Sequence, residues 1–85
     1  LSSTNQDTIL FLVDTLLGNR QTKEATGVLR QSIDRDPGFH YAYVALARIL
    51  KATHQDAEAR RYAQRLLDRP NVSADLRAQA ESLLA

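Results

Sequence analysis

Cysteine is absent from all 85 residues, which excludes a disulfide framework and a thiolate metal site. The same absence suits oxidising and reducing compartments equally and leaves localisation open. Glycine is scarce: Gly18, Gly27 and Gly38 stand alone, two of them at expected helix ends, so no glycine-rich loop can cradle a phosphate. Long hydrophobic runs are missing too. The longest, Ile9 to Val13, falls far short of the roughly 20 residues that span a bilayer, and no basic stretch or cleavage pattern precedes it. Membrane insertion is therefore not expected. Nor does charge of one sign dominate. Eleven Lys and Arg against ten Asp and Glu give a formal charge of +1, too near balance for the electrostatic footprint of a nucleic-acid or anionic-membrane binder. Finally, no segment alternates with period two over strand length, so no β structure is assigned.

A chain of this size holds one domain and buries about two thirds of its unfolded surface, too little for an extensive catalytic cavity. Because it opens on Leu1 rather than Met, it is expected to be a fragment of a larger protein.

What is present is periodic. Between Asp36 and Ala63 a Pro-Gly break precedes a helical pattern, a tight polar turn and a second helical pattern. Tyr43, Leu46, Ala47 and Leu50 share one side of the first, and Ala59, Ala63 and Leu66 one side of the second. Each stripe would leave its apolar side in water unless the two faced one another, and Ala47 and Ala59 are small enough for close approach. Sliding this unit back by 34 residues places Leu12 on Leu46, Leu16 on Leu50, Gln21 on Gln55, Glu24-Ala25 on Glu58-Ala59, and Asp34-Arg35 on Asp68-Arg69. The chain is an internal repeat.

In order, Thr4 or Asn5 is expected to cap a first helix starting near Asn5, with Asp7 in its first turn. That helix buries Ile9, Leu12, Val13 and Leu16 and ends at Gly18-Asn19, a pair suited to a left-handed C-terminal cap. The second helix, about 22–35, buries Ala25, Val28, Leu29 and Ile33 and carries an Arg30–Asp34 pair outside. The third spans about 39–53 and the fourth about 56–69, with Asp56 as N-cap. Pro70 stops the fourth, and Ser73 caps a fifth over 74–84 whose stripe is Leu76, Ala80, Leu83 and Leu84. The fold class is all-α, five helices in antiparallel pairs.

A 34-residue period with two helices per period resembles the tetratricopeptide repeat family. Its pattern is met in the first copy by Ile9, Leu12-Val13, Leu16, Ala25, Leu29 and Pro37, and in the second by Tyr43, Leu46-Ala47, Leu50, Ala59, Ala63 and Pro70. Val13 is bulkier than the small residue expected at its place, implying a looser first pair. Pro70 arrives one residue early, implying a shifted fifth helix. The resemblance implies a short right-handed α-solenoid forming a single domain over 1–85: a repeat at 6–39, a repeat at 40–72 and a capping helix at 73–85.

The resemblance also implies a function, because the first helices of successive repeats in this family line a concave groove that holds a peptide or another protein. The groove-facing places are Asp7, Leu10, Phe11, Asp14 and Leu17 in the first helix and Tyr41, Val44, Ala45, Arg48 and Lys51 in the third, with Arg77 added from the fifth. Relatives that clamp a chaperone's C-terminal carboxylate use Lys and Asn where this chain has Leu10 and Asp14, which argues against that role. No cofactor is implied.

Catalytic constellations are missing from the sequence itself. His40 and His54 stand 14 residues apart, one at a helix start and one in a turn, and read as solvated. Serine, histidine and aspartate form no nucleophile motif. The reading is a binding module and not an enzyme. Arg61, Arg65 and Arg69, with Arg60, form the densest basic patch. Glu58 and Asp68 stand three residues from Arg61 and Arg65, giving a solvated face with local ion pairs. The alternative to a binding module is a structural solenoid segment whose apolar ends stack on neighbours or self-associate. Leu10 and Leu17 extend the first helix's apolar stripe along one flank and Phe11 projects almost opposite, so a homodimer through this helix is the expected form of self-association.

Overall fold

The structure is a computed structural model that describes the backbone of residues 2–85 and the side chains of residues 6–85. Five helices follow one another: α1 (Ser2–Gly18), α2 (Thr22–Arg35), α3 (His40–Ala52), α4 (Asp56–Leu67) and α5 (Ala74–Leu84). Among the described residues there is no strand. Each helix packs on the next, and α3 also packs on α5. This is the packing of an all-α helical-repeat solenoid, in which an amphipathic helix buries its stripe against its sequence neighbours.

Short turns enforce that order, and the first and third repeat each other bond for bond. The Gln21 amide donates to Leu16 O and the Gln55 amide to Leu50 O, both at 2.8 Å. Arg20 and His54, one residue earlier in each turn, have φ of 62° and 65°. An amide reaching five residues back past a left-handed residue is the Schellman closure, which satisfies carbonyls orphaned at a helix end. The left-handed residue was expected at Gly18 or Asn19. α1 does end at Gly18, but the turn that follows places its left-handed residue at Arg20, and no glycine among the described residues has positive φ. His54 is exposed, and its place in the fold is a backbone one.

Helix starts are corrected in two places. α1 begins at Ser2, ahead of the expected Asn5, and the candidate caps Thr4 and Asn5 lie outside the described side chains. Asp56 is the first residue of α4 and not its cap: Gln55 holds the cap position without a side-chain hydrogen bond, and Asp56 serves the helix dipole from the first turn. Ser73 does cap α5, its hydroxyl accepting the Leu76 amide at 3.3 Å.

One continuous core runs from Val13 on α1 through Leu29, Ile33, Tyr43, Leu46, Leu50, Ala63 and Leu66 to Ala80 on α5. Ala47, Ala59 and Ala63 are wholly buried at the α3–α4 contact, where small side chains let the backbones close in. The α1–α2 contact is less extensive, and Val13 occupies the place that Ala47 holds in the second pair. Ala80 is buried as Ala47 is, an offset of 33 that equals the spacing of Pro37 and Pro70. The early proline thus advances the whole apolar stripe of α5 by one residue.

Leu12 departs from its expected core role. It is 43% exposed, whereas Leu46 at the matching place is 0% exposed. The cause is the neighbours: α3 is enclosed by α2, α4 and α5, while α1 packs on α2 alone among the described residues.

Arg30 is also re-partnered. Its guanidinium donates to Glu58 Oε2 at 2.7 Å across the two helix pairs, not to Asp34. Both side chains are about one-third exposed (38% and 34%), so water screens the pair. Glu58→Gln is expected to cost under about 1 kcal/mol in urea unfolding, with the difference shrinking at high salt. A loss of several kcal/mol that salt leaves unchanged would contradict this.

Candidate protein-interaction surface

The outward faces of α1 and α3 follow from helical geometry. Residues on the side away from the core recur at i, i+4 and i+7, which puts Asp7, Phe11 and Asp14 in one row on α1 and Tyr41, Ala45 and Arg48 in one row on α3. Asp7, Phe11, Asp14, Tyr41 and Arg48 are exposed, Phe11 by 74% and Tyr41 by 40%. Ala45 is half-buried between them and packs against the core below. Leu17, Lys51 and Arg77 are exposed as well.

Two of the expected places turn inward. Val44 is 0% exposed and belongs to the core, so it presents nothing to a partner. Leu10 is half-buried and leans on the same core. The difference arises at the flank: α3 is closed by α5, which seals Val44, whereas α1 makes no such approach to α3 among the described residues, which leaves Leu10 partly open. The rows on α1 and α3 are therefore not knit together as those of α3 and α5 are.

A depression of about 450 Å³ lies where α3 meets α5, lined by Arg48, Gln79, Ser82 and Leu83. Gln79 and Ser82 are not among the groove places expected on the fifth helix, although the 34-residue offset was a signal that points to them: it carries Ala45 to Gln79 and Arg48 to Ser82.

The internal geometry just described, helix pairs with bond-for-bond repeated turns, is matched by one comparison. A family model for the tetratricopeptide repeat matches residues 16–85. The chain belongs to the tetratricopeptide repeat family. Members of this family are generally protein–protein interaction modules. No curated protein and no solved structure matches the chain. The matched tetratricopeptide segment begins near the end of α1, so most of α1 lies outside it, and α1 is also the helix whose packing departs from that of α3.

The basic face of the tetratricopeptide domain differs from expectation. Glu58 is taken by Arg30, and Asp68 accepts the Gln64 amide at 3.2 Å. Arg65 instead places its guanidinium 5.1 Å from the Tyr62 ring centroid and 5.8 Å from that of Tyr43, a cation–π arrangement. No salt bridge reaches Arg60, Arg61 or Arg69 among the described residues. Among those same residues, no group of three or more His, Cys, Asp or Glu is gathered as metal ligands would be, and no helix is long and apolar enough to cross a membrane.

Proposed function

We propose that the domain binds a protein segment, extended or helical, along the outward rows of α1 and α3 and the adjoining end of α5. The acidic and apolar half comes from Asp7, Phe11, Asp14 and Leu17, with Leu10 at its edge. The basic and aromatic half comes from Tyr41, Ala45, Arg48 and Lys51, with Arg77 beyond. The observation that carries this reading is Tyr41 standing 40% exposed in the same row as exposed Arg48, an aromatic and a guanidinium of the kind that anchor interfaces, on a helix whose opposite face is sealed in the core. A segment with apolar anchors and mixed charge complements such a surface. We take 6–39 and 40–72 as the two repeats and 73–85 as the cap.

The test uses the partner recovered by crosslinking to the parent protein. Tyr41→Ala and Arg48→Glu are each expected to weaken its binding about tenfold or more, with melting unchanged because both side chains are exposed. Unchanged affinity in both variants would discard the groove reading.

A second reading, a structural segment that pairs with a copy of itself through α1, rests on Phe11, 74% exposed, and Leu17, 37% exposed. Sedimentation over a wide concentration range tests it: a dimer that Phe11→Glu dissociates supports it, and a monomer throughout removes it.

A further inference from the structure

Four arginines stand on or just past α4, Arg60, Arg61, Arg65 and Arg69, and local spacing would neutralise two of them with Glu58 and Asp68. The structure withdraws both acids. Glu58 is held by Arg30 of α2 at 2.7 Å, the one salt bridge among the described residues. Asp68 accepts from the Gln64 side chain at 3.2 Å and comes within ion-pair reach of no arginine.

Helical geometry sorts the four. Ala59, Ala63 and Leu66 turn into the core, which leaves Arg61 and Arg65, one turn apart, on the outer side toward Glu58 and α2, with Arg69 following in the turn beyond. Arg60 looks the other way. It lines a small depression with Lys51 and Asp56, beside Leu83 of α5.

Arg65 is the most ordered member of the row. Its guanidinium lies 5.1 Å from the Tyr62 ring centroid and 5.8 Å from that of Tyr43, yet the side chain is exposed. Stacking uses the flat face of the group, so the N–H donors at its edge stay free to grip a carboxylate as a fork. Part of the ordering cost of pairing is met before a partner arrives. Arg69 is held as well, its Nε buried and without a hydrogen-bond partner.

Charge and spacing define the occupant. Guanidiniums at a four-residue interval stand about 6 Å apart along the axis, the same rise that separates carboxylates one turn apart on another helix. A nucleic acid fits less well, because the formal charge of the chain is only +1 and the Tyr62 ring on which a base would stack already lies under Arg65. A second copy lacks the matching element: no two of the ten Asp and Glu in the sequence stand three or four residues apart.

We infer that the outer row of α4 is a docking site for an acidic helix of another protein, one presenting Asp or Glu at four-residue spacing to Arg61 and Arg65. This surface is separate from the rows on α1 and α3 and does not depend on them.

The probe is a capped alanine-based helical peptide with Glu at three positions four residues apart, and its control carries Gln at the same places. Fluorescence anisotropy against the intact chain should show saturable binding of the Glu peptide, weakening as salt is raised, and none of the control. Arg65→Glu should weaken binding about tenfold or more and Arg61→Glu about three- to tenfold. Arg61 is exposed, so Arg61→Glu carries the test even where loss of the Arg65 stack lowers the melting curve. Arg60→Glu makes the same change of charge on the other side of α4 and should leave binding in place, as should Arg48→Glu in the groove. A Lys-bearing peptide should bind the Arg61→Glu, Arg65→Glu double variant. The source of the helix is read separately: a photo-crosslinking residue replacing exposed Ala57, one turn before Arg61, in the parent protein should attach to a different protein at a segment with carboxylates at this spacing, and Arg65→Glu should abolish the attachment. Absence of saturable binding overturns the inference, as does equal weakening by Arg60→Glu or tighter binding of a single-stranded oligonucleotide of the same charge. Attachment only within the chain or to a second copy overturns it likewise.

Discussion

Leu46→Ala should remove about 2–5 kcal/mol from the unfolding free energy, while Leu12→Ala, the matching change one repeat earlier, should cost under about 1 kcal/mol. The two leucines occupy the same place in the sequence pattern and differ in enclosure. Leu46 is fully buried and Leu12 is 43% exposed. Truncating a buried leucine loses the transfer free energy of its methyl groups and leaves a cavity that the surrounding helices close only in part. Truncating Leu12 removes surface that water already reaches and enlarges an open depression. A small domain is stable by about 5–15 kcal/mol in total, so the Leu46 variant should unfold at visibly lower urea while the Leu12 variant tracks the parent. Equal losses at both positions would mean that α1 is covered in solution.

Tyr43→Ala is expected to be the most damaging single truncation, at about 3–5 kcal/mol, and Tyr43→Phe to cost a further-separable share of about 1–3 kcal/mol. Tyr43 is the largest of the fully buried side chains, and its hydroxyl donates to the Pro37 carbonyl at 2.8 Å. That bond ties the α2–α3 loop to the core. Phenylalanine keeps the ring, and with it the face against which the Arg65 guanidinium lies, but strands the Pro37 carbonyl with no hydroxyl donor. Comparing the two variants by urea denaturation divides packing from hydrogen bonding. A phenylalanine variant as unstable as the alanine one would place the whole effect in the hydrogen bond, and one as stable as the parent would remove the loop tie.

The limits of the sequence are clearest on α1. Its apolar residues Ile9, Leu12, Val13 and Leu16 fit one helical face, and the spacing gives Leu12 and Leu46 the same role. Burial depends on which helices lie alongside, and α1 has α2 alone among the described residues. Val44 errs the other way: its place on the wheel is a groove place, but α5 packs on α3 and closes it off. Arg30 has Asp34 one turn away in sequence and takes Glu58 across the interface instead. In each case the deciding partner lies in another helix, out of reach of local spacing.

What the sequence determined by itself was set by periodicity and by a few side chains acting within one helical turn. The bounds of α2 and α5, the Ser73 cap, the one-residue advance of α5 announced by Pro70 and the 34-residue repeat all follow from side chains acting on their own backbone or on the next turn. Only the tertiary structure decided the enclosure of each face: Leu12 open, Val44 sealed, Gln79 and Ser82 brought beside Arg48, and an open depression left between α1 and α2. Periodicity fixes the direction in which a side chain points, but burial requires a second surface, and the neighbours that supply it differ between α1 and α3 although their apolar patterns are alike.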